Sequence, residues 1–224
     1  MSVEYKGKII KIKKQKGYLT LNLSRMNIEN ISDIMGLKDL INLQSLMLND
    51  NNIKEITGLE FLRNLQSLSI NNNNLTKIEG LEENTSLRSL SLQHNNIRII
   101  EGLDTLIYLE KLYLNGNHIE IFGGLGNLSS LNRLDLRMNP VFGSLMRMFG
   151  VDRTGNFLQV QEMISHTKKS DNNDQSISNE ILQGLSSKKY ARPKEDTAKN
   201  CIVYCSICIV VNLIIFFMFF FLWI

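Results

Sequence analysis

The sequence predicts an α/β solenoid, a coil of short parallel strands, followed by one C-terminal transmembrane helix. Three observations carry this. A unit of 22 residues recurs from Leu43 to Leu131. Within each unit leucines alternate with polar residues over the first six positions. The last 24 residues, 201–224, contain no charged side chain although the chain carries 25 basic and 22 acidic residues.

The repeat is read directly. LQSLMLNDNNIKEITGLEFLRN starts at Leu43, LQSLSINNNNLTKIEGLEENTS at Leu65, LRSLSLQHNNIRIIEGLDTLIY at Leu87 and LEKLYLNGNHIEIFGGLGNLSS at Leu109. A partial unit begins at Leu131, and a looser one of 25 residues runs from Tyr18 to Asn42. The LxL portion has the period of two that a strand with one buried face requires. An asparagine at the ninth position (Asn51, Asn73, Asn95, Asn117, Asn139) can both donate and accept, so it can satisfy backbone groups where the chain turns off the strand. Gly58, Gly80, Gly102 and Gly124 mark the sixteenth position, where the chain starts back. Fixed-period self-similarity of this length is the signature of a stacked-repeat architecture.

These motifs resemble the 22-residue class of leucine-rich repeat, the class found in the regulatory subunit of type-one protein phosphatase, a spliceosomal protein and an axonemal dynein light chain. The resemblance covers Tyr18 to Phe142. It implies a right-handed leucine-rich-repeat solenoid with a parallel concave sheet and short 3-10 or irregular convex segments. Asn139-Pro140-Val141 matches the opening of that family's C-terminal cap, but the following FGSLMRMFGVDRTGNF departs from it.

The ends must still cover apolar edges. Residues 1–17 form a basic N-terminal cap, in which Ile10 and Ile12 alternate with lysines and are expected to add a strand. Residues 18–142 are the repeats, about six in number. Residues 143–165 form the C-terminal cap, where Phe157, Val160, Met163 and Ile164 fall at helical spacing. Residues 166–200 are polar and read as a flexible linker.

The tail CIVYCSICIVVNLIIFFMFFFLWI is long enough to cross a bilayer: at about 1.5 Å per residue it spans about 36 Å against a core of about 30 Å. The N-terminus has no apolar run fit for a secretory signal. A tail-anchored, single-pass protein with a cytosolic N-terminal domain is therefore expected. Five basic and two acidic residues between Lys188 and Lys199 agree with a cytoplasmic flank. The lack of a basic group after the span points to the endoplasmic reticulum rather than the mitochondrial outer membrane.

Composition excludes several chemistries. All three cysteines lie at 201, 205 and 208, which removes a disulfide-stapled scaffold and a cysteine-ligated zinc module. The three histidines are scattered. No phosphate-cradling glycine loop or nucleophile motif occurs, so neither an enzyme nor a cofactor is expected.

A protein partner is expected instead, on the concave face, where positions 3, 5, 7 and 8 project. Candidate contact residues are Met47 and His94 in the middle rungs, and Lys111, Tyr113, Arg133, Asp135 and Arg137 at the C-terminal end. A tyrosine beside arginines is typical of an interface hot spot. Six strands of four residues present on the order of 350–400 Å², about half the ~800 Å² of a standard contact. Two alternatives stand beside this adaptor reading: a regulatory subunit of a serine/threonine protein phosphatase, and a structural or ciliary component. Charge is uneven, since residues 1–17 hold six lysines and one glutamate. These lysines are candidates for contact with anionic lipid. Nucleic acid is not expected, because the repeat body is net acidic.

Overall fold

The protein is described by a computed structural model over residues 1–170, apart from Lys16, Ile121 and Arg153. The expected transmembrane helix 201–224 and the linker beyond Ser170 lie outside the described residues. Among the described residues, no helix is long and apolar enough to cross a membrane.

The chain opens with a hairpin of β1 (Ser2–Tyr5) and β2 (Lys8–Lys11). Its two-residue turn, Lys6-Gly7, has φ of 48° and 75°, the left-handed pair that matches the natural twist of a hairpin. Val3 and Tyr5 turn into the core, and Ile10 and Ile12 pack against it. The Tyr5 hydroxyl donates to the Asn27 carbonyl at 3.1 Å.

The main sheet has seven strands in sequence order. β3 (Lys13–Gln15) pairs antiparallel with β4 (Tyr18–Asn22). Parallel pairing then continues through β5 (Ser45–Met47), β6 (Ser67–Ser69), β7 (Ser89–Ser91), β8 (Lys111–Tyr113) and β9 (Arg133–Asp135). Leu46 faces Leu68, Leu68 faces Leu90, Leu90 faces Leu112 and Leu112 faces Leu134. Each step is one 22-residue unit, so the sequence period is the strand register.

The first step is longer. Leu21 pairs with Leu46, yet Gly36 precedes Gly58 by the regular interval. The extra residues therefore lie between strand and glycine, where Ile31–Asp33 form a 3-10 turn.

Each unit returns along the opposite side through consecutive i to i−3 turns. Leu62 donates to the Leu59 carbonyl at 2.9 Å and Leu65 to the Leu62 carbonyl at 3.0 Å. The inward-facing leucines and isoleucines of all units form one buried stack. Burying each is worth about 1.5–3 kcal/mol.

The ninth-position asparagines tie the stack together as their chemistry predicts. Asn95 Nδ2 donates to the Ile70 and Leu92 carbonyls at 2.9 and 3.1 Å, and its Oδ1 accepts from Leu75 N at 3.0 Å. Asn117 and Asn139 repeat this one and two rungs on.

The C-terminal cap has two helices, α1 (Phe142–Phe149) and α2 (Val160–Ser170). Val141, Leu145 and Phe149, four residues apart, are buried. Phe157, Val160, Met163 and Ile164 are buried as expected, but Phe157 precedes the helix. It bridges to Val151 and sets its ring 5.6 Å from that of Phe142. Gln161 Nε2 donates to the Leu131 carbonyl at 2.6 Å, occupying a last-rung acceptor. The expected cap boundary at 165 falls inside α2, which continues to Ser170.

Candidate protein-interaction face

The open face of the main sheet is set by strand alternation. In β5 to β8 the central leucine is buried, and its two neighbours project to the other side, exposed or half-exposed.

In the middle of this face, polar side chains bond to one another. Asn49 Oδ1 accepts from the Ser69 hydroxyl at 2.7 Å and from Asn71 N at 2.8 Å. Asn71 Oδ1 accepts from the Ser91 hydroxyl at 2.9 Å and from Gln93 N at 2.8 Å. These groups gain little from a partner, because any new bond would replace one already made.

Gln93 takes the next such position, and the asparagine pattern does not resume one rung further on, at Asn115. Asn115 Oδ1 is buried without a protein hydrogen bond. One rung on, Asp135 stands where Ser69 and Ser91 stood and has no hydroxyl to offer. The Arg137 N–H, which would complete the pattern, donates instead to Asp135 Oδ1 at 3.1 Å.

Asp135, expected as a contact residue, is buried in the sheet. It is 2% exposed. Its carboxylate receives Arg137 through Nε at 2.9 Å and through the terminal guanidinium nitrogen. A carboxylate inside the sheet must be paired, and this pairing fixes Arg137, whose side chain remains 47% exposed. Asp135 therefore positions an arginine and presents nothing itself.

The other expected residues divide. Arg133 stacks over the Tyr113 ring at 5.7 Å from its centroid. Lys111 is exposed and lies beside Arg133 in register. His94 is exposed and lies over Gly116, where an added methyl would sit 2.4 Å from Nδ1. His94 also has a φ of 53°, as do its counterparts Asp50 and Asn72 at 56° and 55°. The eighth position thus lies in the left-handed turn that follows the strand. Met47 is half-buried in β5, three strands from Tyr113, and is not part of the C-terminal cluster.

Sequence reasoning missed the loop that borders this cluster. Asn156 Oδ1 accepts from Arg133 Nε at 3.1 Å. Gly155 (φ 81°) lies against Arg137, 2.3 Å from its Cδ to where a methyl would be. Asp152 folds the loop by accepting from Thr154 N, Thr154 Oγ1 and Asn156 N. Partial desolvation works against ionisation of Asp152, but those bonds together hold its carboxyl below the ordinary value of 3.8. The signal was present in Asp152-Arg153-Thr154-Gly155-Asn156, a run of turn-forming residues.

Among the described residues, no group of three or more His, Cys, Asp or Glu side chains is placed to hold a metal ion.

A stack of leucine-lined rungs sharing one parallel sheet, joined by an asparagine ladder, defines a leucine-rich-repeat array. The family model for leucine-rich repeats matches residues 41–83 and 63–108. Comparison with curated proteins gives no match. Among solved structures the chain is similar to internalin C2 of Listeria monocytogenes, at 36% identity over 52% of this chain and 50% of that one, with a TM-score of 0.48. It is also similar to internalin InlF of the same organism, at 30% identity over 54% of this chain and 35% of that one, with a TM-score of 0.48. The match thus spans half of the first internalin and about a third of the second. The repeats suggest a role in protein–protein interaction.

Proposed function

We propose that this chain is a membrane-tethered adaptor that binds a protein partner at the C-terminal end of its open sheet face. One observation carries the location: Arg133 on Tyr113, next to an Arg137 held rigid by buried Asp135. Arginine and tyrosine fixed in advance lose little side-chain entropy on binding. The self-bonded middle rungs offer no comparable group. The uncharged segment 201–224 supports the tether, which would raise the local concentration of the repeats for membrane-bound partners.

The test is a photo-crosslinker placed at Tyr113 in the full-length chain, with a second at Lys77 on an outer turn as control. A discrete adduct from position 113 alone, lost with Arg133→Ala, is the expected result. Equal labelling from both positions would refute the location. An adduct identified as a phosphatase catalytic subunit would replace the adaptor reading with a regulatory one. Deletion of 201–224 should abolish flotation of the chain with uncharged phosphatidylcholine vesicles; a truncated chain that still floats with them would remove the tether.

A further inference from the structure

We propose that the N-terminal cap is a docking surface for an anionic membrane, in which Ile9 and Met35 enter the interface and the exposed lysines of the cap, Lys11 foremost, engage lipid headgroups. This contact is separate from the tether proposed at 201–224 and does not depend on it.

The cap presents two kinds of side chain together. Glu4 pairs with Met35 on one side through two backbone bonds of 3.0 and 2.9 Å, and with Ile9 on the other. Residues directly opposite in antiparallel strands share a face, so Met35, Glu4 and Ile9 form one outward row. Val3 and Tyr5 occupy the buried face of the same strand. Ile9 is 67% and Met35 66% exposed. Lys11, opposite Ser2, shares this outward face, while Lys8 stands opposite Tyr5 and Lys6 holds its Nζ 5.3 Å from the Tyr5 ring centroid at the hairpin's end; these three, with Lys13 and Lys14, are exposed, and among the described residues none of them forms an ion pair.

Ordinary capping explains only half of this. The end of a solenoid needs a polar outer face, and an open edge such as β2 is commonly blocked by lysines. Neither role calls for an isoleucine and a methionine held outward on the same surface. Aliphatic side chains set among lysines are the composition of an interfacial membrane contact. The repeat body is net acidic, so an anionic surface attracts this end of the molecule in preference to the rest. The projecting groups are aliphatic, whereas single-stranded nucleic acid is gripped by aromatic stacking.

Trp223 is the one tryptophan in the chain, which gives a clean probe. Full-length protein carrying Trp223→Phe and Ile9→Trp is mixed with phosphatidylcholine vesicles, with or without about one-third phosphatidylserine. The expected result is a blue-shifted emission, quenched by brominated lipid, only with phosphatidylserine. The shift should reverse at about 0.5 M salt and weaken about fivefold in partition for each lysine neutralised among Lys6→Gln, Lys8→Gln and Lys11→Gln. Because the introduced indole itself favours membranes, the unaltered chain is also probed by amine acylation, where Lys11 should be protected by the anionic vesicles. No shift and no protection would overturn the proposal. So would the same shift with phosphatidylcholine alone, or a shift produced by single-stranded RNA or polyglutamate but not by the vesicles. Flotation with phosphatidylcholine vesicles reports the tail separately, so failure of either contact is distinguishable from failure of the other.

Discussion

Asn84 donates from Nδ2 to the carbonyl of Leu62 at 3.1 Å, and Leu62 is its own counterpart one rung earlier. It also donates to the Leu59 carbonyl at 2.9 Å. In the neighbouring units this inward site holds leucine: Leu62, Leu106 and Leu128, all fully buried. Asn84 is equally buried, and its Oδ1 has no protein hydrogen bond. Both carbonyls it reaches already accept a backbone N–H, from Leu62 and Leu65. The asparagine thus supplies bonds the rung does not need and strands an acceptor in the core. Asn84→Leu should stabilise the array by about 1–2 kcal/mol, read as a rise in Tm with unchanged cooperativity. Asn84 also heads a glycosylation sequon, but full burial withholds it from modification in the folded chain.

The ladder asparagines behave oppositely. Asn95→Ala removes the acceptor of the buried Leu75 N–H and the side-chain donor to the Ile70 carbonyl. The cost should be about 2–4 kcal/mol, measured by urea denaturation. Asn95→Asp should be no better, because a carboxylate cannot supply the donor.

Two glycines at equivalent positions should respond unequally. Gly102 has a φ of 68°, and a methyl there would lie 2.1 Å from the Ile78 carbonyl oxygen. Gly58 has a φ of 75°, but its nearest contact would be the Ser32 Cα at 3.4 Å. The three-residue insertion of the first unit opens that space. Gly58→Ala should therefore cost about 1–2 kcal/mol, the left-handed strain alone. Gly102→Ala should cost clearly more, and thermal melts of the two variants compare them directly.

Leu90 and Ser91 are adjacent in β7 but face opposite ways, the first fully buried and the second on the open face. Leu90→Asp should abolish cooperative folding, because an unpaired carboxylate cannot be buried there. Ser91→Asp should leave secondary structure intact by circular dichroism.

The loop at Asp152 carries an acid-sensitive hold. Its carboxyl titrates below the ordinary value in the folded chain. Its stabilisation is thus fully present above about pH 4 and is lost as pH falls through the folded value. Amide NMR shifts of Thr154 and Asn156 should move together with a midpoint under 3.8, and Asp152→Asn should remove that titration.

The rungs were legible because each is local. Twenty-two residues contain the strand, the turn and the return, and the next unit repeats them, so period alone sets register, as in Leu68 against Leu90. The helical stripe Val141, Leu145, Phe149 was legible too, at spacings of four, although it was not recognised as α1. Val3 and Tyr5 alternate as an inward strand face should, but the capping strand was read only from Ile10 and Ile12.

The sequence by itself determined the solenoid, its inward leucines and the asparagine ladder, because those follow from contacts one period apart. Only the tertiary structure decided which polar groups stay free. Asp135 sits at a position that reads as exposed, yet Arg137 and the sheet edge enclose it, and Asn156 reaches Arg133 across 23 residues. The Asn156 contact depends on where the cap folds back on the last rungs. No spacing encodes that, because the cap does not repeat.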